Sequence, residues 1–301
     1  MSTTLGELVK EGARILASNA VAEPYRTALH LVRAVLKIDA ATLLAHPERT
    51  VAAGDAARVQ QAFVRRANGE PLQYITETQD FYGRDFYVTP AVLIPRPETE
   101  LLVEAVINHC RAQAKTTLHL LDLGTGSGCL AVTLAAMLPT AQVIAVDISP
   151  SALAVAEANA RRHGVAERIV FLESDWLSAL PADAPLFDAV VANPPYIAEA
   201  ELSGLQREVR DYEPHVALIA GPDGTEAYVR LFADLPRHLA DGGFFACEVG
   251  FGQADKVCAL GAGHGWRLQQ TLHDLQGIPR TLVFTHAADV ADNPSRRACS
   301  P

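Results

Sequence analysis

The sequence is short of the residues that would mark it as secreted, metal-binding or basic. Its five cysteines (Cys110, Cys129, Cys247, Cys258 and Cys299) are odd in number, and no two are spaced Cys-x-x-Cys. They read as reduced thiols in a cytoplasmic protein. The ten histidines form no His-Glu-x-x-His or comparable cluster, so no metal site is expected. No run reaches the ~18 apolar residues of a membrane helix. The start, Met1-Ser-Thr-Thr-Leu-Gly-Glu-Leu-Val-Lys10, lacks the basic flank and apolar run of a signal peptide. Lys and Arg number 25 against 35 Asp and Glu, a net charge of −10. That balance argues against a general phosphate-backbone binder. Direct nucleic-acid binding and membrane association are therefore not expected.

What is present suits a folded protein with a full core. Hydrophobic residues make up 49% of the 301 and charged residues 20%, compatible with two domains or one large one with an extension. The first part reads as helices. Thr4-Leu-Gly-Glu7 has capping-box spacing, and Leu5, Leu8, Val9, Ile15 and Leu16 recur at helical intervals. Pro24 suits the first turn of a second helix, with Leu29, Val32, Val35 and Leu36 on one side. Ala52 to Ala67 reads as another amphipathic helix, and Asn68-Gly-Glu-Pro71 breaks the pattern. Phe81, Tyr82, Phe86, Tyr87, Val88, Val92 and Leu93, set among Gly83 and Pro90, then suggest a short linking β-hairpin.

From Thr117 strands alternate with helices. Strands are expected at Leu118–Leu123, Gln142–Asp147, Arg168–Leu172, Phe187–Ala192, Gly243–Val249, Arg267–His273 and Thr281–Thr285. This is the signature of a doubly wound α/β domain with a mainly parallel sheet, its strands apolar because both faces are covered. The expected organisation is a helical bundle over 1–78, a hairpin linker over 79–95, an α/β domain over 96–286 and a polar, disordered tail over 287–301.

Between the first strand of that domain and its helix runs Asp122-Leu-Gly-Thr-Gly-Ser-Gly128. Glycines there allow positive φ and close approach of a ligand to a helix N-terminus. Asp147 ends the next strand, where an acid accepts hydrogen bonds from ribose hydroxyls. Gly126-x-Gly128-x-x-Ala131 also fits the dinucleotide pattern, so a nicotinamide enzyme stays open on this motif alone. Two features favour S-adenosylmethionine. Asp122 precedes the turn, and a carboxylate there is useful to an amino group and awkward for phosphates. After the third strand, Asp175 is placed to reach an adenine amino group and Trp176 to pack on the ring.

The fourth strand ends on Asn193-Pro-Pro-Tyr196, at the rim where open α/β sheets bind ligands. Two prolines cannot continue a strand, because neither has a backbone N–H. The arrangement does suit methylation of a planar nitrogen, whose lone pair is delocalised. Asn193 offers a side-chain oxygen and Pro194 a backbone carbonyl, two acceptors for the N–H hydrogens. Pro195 stiffens the turn and Tyr196 offers a flat face to an amide or base. Positioning and preorganised hydrogen bonds then carry the reaction, with no strong base required.

With these motifs on view, the sequence resembles the release-factor glutamine methyltransferases. The match runs from about Arg66 to Phe284 and is weaker in the N-terminal helices. It is carried by Gly69-Glu-Pro-Leu-Gln-Tyr-Ile75, Leu93-Ile-Pro-Arg-Pro-Glu-Thr-Glu100, the glycine turn, Asn193-Pro-Pro-Tyr-Ile197, Glu208-Val-Arg-Asp-Tyr-Glu-Pro214 and Asp274-Leu-Gln-Gly-Ile-Pro-Arg280. The resemblance implies a Rossmann-like S-adenosylmethionine-dependent methyltransferase domain with a seven-stranded sheet, behind a helical bundle that docks the substrate. The implied reaction moves a methyl to the side-chain amide of the glutamine in the Gly-Gly-Gln motif of class 1 peptide chain release factors, leaving S-adenosylhomocysteine. Gly124, Thr125, Gly126, Ser127, Gly128, Asp147, Asp175, Trp176 and Asn193 are expected at the cofactor. Asn193, Pro194, Pro195 and Tyr196, with Arg96 and Glu98, are expected at the glutamine.

The Pro-Arg-Pro-Glu-Thr-Glu stretch separates this family from the sister family that methylates a large-subunit ribosomal protein. There are departures. Glu77 stands where the family commonly has glycine, and Arg26-Thr-Ala-Leu-His-Leu lacks acids often seen there. Arg96 and Glu98 have a plainer reading as anchors of the helix start. Glu208, Tyr212 and Glu213 either shape the substrate mouth or fold the long loop from Ile197 to Gly224. The rivals are the ribosomal-protein enzyme, an exocyclic-amine methyltransferase of nucleic acid and a non-catalytic binding module.

Overall fold

The structure, a computed structural model, describes residues 3–112 and 115–286. The expected tail over 287–301, with Cys299, lies outside the described residues. The described residues form two compact units, one drawn from the chain up to Thr78 with 205–212 and one from 79–204 with the described residues from Glu213 on.

The first unit is helical: α1 (Leu5–Ser18), α2 (Pro24–Leu36), α3 (Ala40–Ala45), α4 (Ala53–Ala67) and α5 (Leu72–Thr76). Two short strands, β1 (Thr3–Thr4) and β2 (Thr50–Val51), pair antiparallel. The capping box is formed. Thr4 Oγ1 accepts from the Glu7 N–H at 3.3 Å, and Glu7 Oε2 accepts from the Thr4 N–H at 2.8 Å. Leu8, Val9 and Leu16 of α1 pack with Leu31 and Val32 of α2 and Val59 and Phe63 of α4. Gly12 is needed here, because a Cβ would lie 2.3 Å from the Phe63 ring. The buried stripe of α2 is Ala28, Leu31 and Val32, while Leu29, Val35 and Leu36 pack at its margin. The expected face was turned by omitting the small Ala28. A distant segment joins this unit: α9 (Arg207–Tyr212) pairs Glu208 with Arg66 at 2.9 Å, and the Tyr212 hydroxyl donates to the Asn68 carbonyl at 3.1 Å.

Helix α5 ends on Glu77 at φ +56°, ψ +27°. This explains why glycine is common there: the cap needs the left-handed region that an L side chain resists. Glu77→Gly is therefore expected to stabilise the protein by about 0.5–1 kcal/mol, the left-handed penalty less glycine's extra chain entropy. A melting temperature that stays or falls in the variant contradicts this.

The hairpin strands are β3 (Thr78–Phe81) and β4 (Arg84–Tyr87). Tyr82 at φ +52° and Gly83 at φ +68° form the turn, so the hairpin ends earlier than the sequence suggested. In the second unit a 3₁₀ turn at Pro97–Thr99 leads into α6 (Glu100–Arg111). The central strands and helices then alternate: β5 (Leu118–Leu123), α7 (Cys129–Met137), β6 (Ala141–Asp147), α8 (Pro150–Arg162), β7 (Ile169–Glu173), β8 (Phe187–Ala192), the short parallel pair β9 (Ile197–Ala198) and β10 (Ile219–Gly221), α10 (Glu226–Asp234), β11 (Leu239–Glu248), α11 (Ala254–Gly263), β12 (Trp266–His273) and β13 (Pro279–His286). All the expected central strands are present. Strand β11 starts at Leu239 rather than Gly243, with a break in register before Phe244 where Gly242 takes φ +74°.

The seven-stranded sheet has the order β12-β13-β11-β8-β5-β6-β7, with β13 antiparallel to both neighbours. Alternate side chains bury into two layers. Leu120, Val143 and Val191 face α6 and α7, and Leu121, Val146 and Val190 face α10 and α11. Every residue of β8 is buried. Strand β5 thus connects outward to β6, while its other neighbour β8 leads to β11. At that reversal the loops at the strand ends part and leave a crevice.

Candidate active site

A cavity of about 290 Å³ occupies the crevice. Gly124, Thr125, Gly126 and Ser127 of the glycine turn line it, while Gly128 does not, and the three glycines take φ +74°, +54° and +78°. The N–H groups of Gly124 and Thr125 both donate to the Val146 carbonyl at 2.8 Å, stitching the turn to β6. A Cβ on Gly124 would reach within 3.9 Å of the Trp176 ring across the cradle, and one on Gly126 would meet almost nothing but open space. Gly128 serves packing: its Cβ would lie 3.0 Å from that of Ala156 in α8.

Asp122 differs from expectation. It is fully buried beneath the turn and does not line the cavity. Its Oδ2 accepts from the Thr125 hydroxyl at 2.7 Å and from the Ala131 N–H at 3.1 Å. Burial pushes its carboxyl up to about 7, and its Oδ1 has no protein partner among the described residues. It braces the loop from below. Asp147 does line the cavity. Its Oδ2 accepts from the Gly126 N–H at 2.8 Å and its Oδ1 from the Ser149 N–H at 2.9 Å, which leaves further lone pairs on both oxygens. Burial raises its pKa, against those backbone bonds.

On the far wall Trp176 sits at φ +54°, a strained conformation of the kind that clusters at ligand clamps. Asp175 has a partner the sequence did not disclose: Arg230 grips both its oxygens, at 2.9 and 3.1 Å. Both residues line the cavity. Cys129 lines it too, but burial drives its thiol up to about 12, out of range for a nucleophile.

Asn193 and Pro195 line the cavity, and Pro194 and Tyr196 do not. The Asn193 amide donates through Nδ2 to the Thr99 hydroxyl oxygen at 3.1 Å, and its Oδ1 has no protein partner among the described residues. No donor among them claims the Pro194 carbonyl either. Gln253 clamps the turn from behind. Its Nε2 donates to the Tyr196 carbonyl at 2.8 Å, and its Oε1 accepts from the Gly250 N–H at 3.1 Å. The Tyr196 hydroxyl points to Glu248 Oε1 at 3.5 Å, and burial raises its pKa strongly.

Within Pro95-Arg-Pro-Glu-Thr99 the sequence pointed to Arg96 and Glu98. Arg96 lines the cavity and is ion-paired to Glu213, whose other oxygen accepts from the Ile94 N–H at 3.1 Å. Glu98 does not line it. The member that touches Asn193 is Thr99, 2% exposed. Its signal was a hydroxyl at helical spacing from Leu102, Val103 and Val106, on the buried face of α6. Asn159 was also missed: its amide bonds Ser127 O at 2.8 Å and both backbone groups of Tyr87, tying the glycine turn to the end of the hairpin. Of the long-loop residues, Glu208 and Tyr212 belong to the helical unit and Glu213 to the α/β unit. Among the described residues no group of three or more His, Cys, Asp or Glu is arranged to hold a metal ion. No helix there is long and apolar enough to cross a membrane.

A sheet of this order, with a glycine cradle at its reversal, an acid at the end of the adjoining strand and Asn-Pro-Pro-Tyr opposite, defines a Rossmann-like S-adenosylmethionine-dependent methyltransferase. The residues present fit that cofactor: the cradle is open where a side chain would fill it, and Asp147 borders it. The family profile described as Methyltransferase small domain matches residues 97–208, and that of the PrmC N-terminal domain matches residues 7–76. The release factor glutamine methyltransferase of Koribacter versatilis is 44% identical over 280 residues, 93% of this chain and 98% of that one. That of Moorella thermoacetica is 44% identical over 281 residues, with the same shares. Among solved structures, the catalytic domain of hMettl16 in complex with an RNA hairpin superposes with a TM-score of 0.53 at 17% identity, over 79% of this chain and 84% of that one, a likeness of fold. The chain belongs to the release factor glutamine methyltransferase family.

Proposed function

We propose that this enzyme transfers a methyl group from S-adenosylmethionine to the side-chain amide nitrogen of the glutamine in the Gly-Gly-Gln motif of class 1 peptide chain release factors. The observation that carries the reading is the Asn193-Pro-Pro-Tyr196 turn, whose Asn193 borders a cavity edged by the glycine cradle with its Oδ1 free of protein donors, and whose next carbonyl, that of Pro194, is likewise unclaimed. Kinship over nearly the whole chain with release factor glutamine methyltransferases supplies the substrate.

When bound, S-adenosylmethionine supplies an electrophilic methyl on sulfur and leaves as S-adenosylhomocysteine. The chain's own residues do the rest. Gly124 to Gly128 and Asp147 hold the cofactor, Asp147 through its remaining lone pairs to ribose hydroxyls, with Trp176 and Asp175 on the adenine side. Asn193 and Pro194 accept the two N–H hydrogens of the target amide, favouring a pyramidal nitrogen whose lone pair is directed at the methyl. Tyr196, seated by Gln253, backs the amide plane. Arg96 acts through Glu213 to fix the wall beside the mouth. After transfer the cationic amide is acidic enough to release its proton to water. The helical unit, which matches the PrmC N-terminal domain, docks the release factor. We assign the reaction to the cytoplasm, a reading supported by four free cysteines among the described residues.

The rivals differ in substrate. Incubating the purified enzyme with labelled S-adenosylmethionine and, in parallel, a class 1 release factor, a large-subunit ribosomal protein and RNA separates them. Label is expected in the release factor alone. Label in the ribosomal protein instead keeps the chemistry and moves the partner, and label only in RNA overturns the protein-amide reading.

A further inference from the structure

Glu248 ends β11 with 2% of its surface exposed, beside Cys247 and Val249 in an apolar run. Burying a carboxylate there is costly unless its bonds are specific. It does not line the cavity, and amide methylation has no use for a strong base. What it touches is Thr99: Glu248 Oε2 accepts the Thr99 hydroxyl proton at 2.6 Å. Thr99 Oγ1 in turn accepts from Asn193 Nδ2 at 3.1 Å. The direction of this chain follows from proton counting. A hydroxyl has one proton, and an ionised carboxylate can only accept. With its proton committed to Glu248, Thr99 offers Asn193 lone pairs alone. The Asn193 amide must then turn its NH₂ inward, which leaves Oδ1 for the cavity. The reverse orientation would present two donors to a substrate that is itself a donor.

We infer that Glu248 and Thr99 form a polarity relay that decides which end of the Asn193 amide faces the substrate, with Glu248 acting as the carboxylate. The inference rests on the reading of Asn193 as acceptor for the target amide. Glu248 lies off the cavity and Thr99 lines it beside Asn193, and in this relay both act through the Asn193 amide, so both are positioning residues. Protonation of Glu248 undoes the relay, because the acid can donate to Thr99 and release the Thr99 proton towards Asn193. Asn193 is then held in neither orientation.

The groups facing Glu248 set where this happens. Burial raises its carboxyl most, opposed by the Thr99 bond. The Glu98 charge raises it further, while Arg280 and the Tyr196 hydroxyl lower it, and it stands at about 7. Tyr228, which donates to the Glu248 main-chain carbonyl at 2.8 Å, and the thiols of Cys247 and Cys129 are the other titratable neighbours, and burial keeps all three protonated. The carboxylate form therefore dominates above neutrality, and kcat falls as the pH drops through about 7.

The test compares kcat, KM for S-adenosylmethionine and the pH profile of wild type with Thr99→Val, Thr99→Ser and Glu248→Gln, each checked for folding by thermal melting. Thr99→Val keeps the shape and removes the relay. It is expected to lower kcat roughly 10–100-fold, by analogy with orienting partners of metal ligands, at unchanged KM for S-adenosylmethionine. Thr99→Ser restores most of the loss. Glu248→Gln keeps an acceptor that does not titrate, so its profile loses the Glu248 part of the acid-side decline. The relay is overturned if Thr99→Val turns over like wild type, if Thr99→Ser is as impaired as Thr99→Val, or if the acid limb of Glu248→Gln is the same as that of wild type, since Asp122 beneath the glycine turn also stands at about 7 and leaves a limb of its own. A wild-type enzyme that transfers no methyl removes the reading of Asn193, and the relay with it. An active wild type matched by Thr99→Val removes the relay alone.

Discussion

Asn193→Ala is expected to lower kcat by roughly 10²–10³, the range seen when one preorganised hydrogen-bonding group is removed from a transition-state site. The fold should persist, because Asn193 makes a single side-chain bond, to Thr99. Affinity for S-adenosylmethionine should change little, since the cradle and Asp147 remain. The loss falls on kcat because the interaction matters most when the target nitrogen becomes pyramidal and its N–H groups more acidic. Single-turnover methyl transfer at saturating cofactor reads this directly. A variant that methylates at the wild-type rate would mean that the acceptor for the amide lies elsewhere and that Asn-Pro-Pro-Tyr is only a turn.

The second large effect belongs to Asp147. Its carboxylate holds the Gly126 and Ser149 N–H groups and keeps lone pairs for the ribose hydroxyls. Hydrogen bonds to a charged group contribute about 1.5–3 kcal/mol each. Asp147→Ala is therefore expected to raise the dissociation constant for S-adenosylmethionine by roughly 10–100-fold, at about 1.4 kcal/mol per factor of ten. Part of that loss comes from a loosened glycine turn, so Asp147→Asn, which keeps one acceptor, should lose less. Titration calorimetry on the folded variants separates the cases. An unchanged constant in Asp147→Ala shows that the ribose is held by other groups.

Much of this architecture is legible in the sequence because the signals are local. Thr4 and Glu7 mark a capping box that forms, Phe187 to Ala192 reads as a doubly covered strand, and the glycine turn sits between strand and helix as its pattern requires. The misses share one physical cause: they depend on partners distant in sequence. Nothing near Asp175 announces Arg230, and nothing near Asn193 announces Thr99. Within Arg96 to Glu100 the charged residues are the visible signal in the sequence, while the buried Thr99 hydroxyl is the one that reaches the turn. Glu248 was legible only as a lone acid inside Phe244-Phe-Ala-Cys-Glu-Val249, a pattern that signals burial without naming what is bonded. Asp122 shows the opposite error, a motif residue given to the ligand that instead braces the loop. Arg207 to Tyr212 reads as part of one long loop, yet it packs with helices far upstream.

The central claim is the transfer of one methyl to one amide nitrogen. The most direct measurement is mass-spectrometric mapping of a class 1 release factor after incubation with this enzyme and S-adenosylmethionine, beside a release factor whose Gly-Gly-Gln glutamine is replaced by alanine. The account predicts a single added methyl on that glutamine and none on the alanine variant. Methylation at another residue, or equal labelling of the alanine variant, would contradict it.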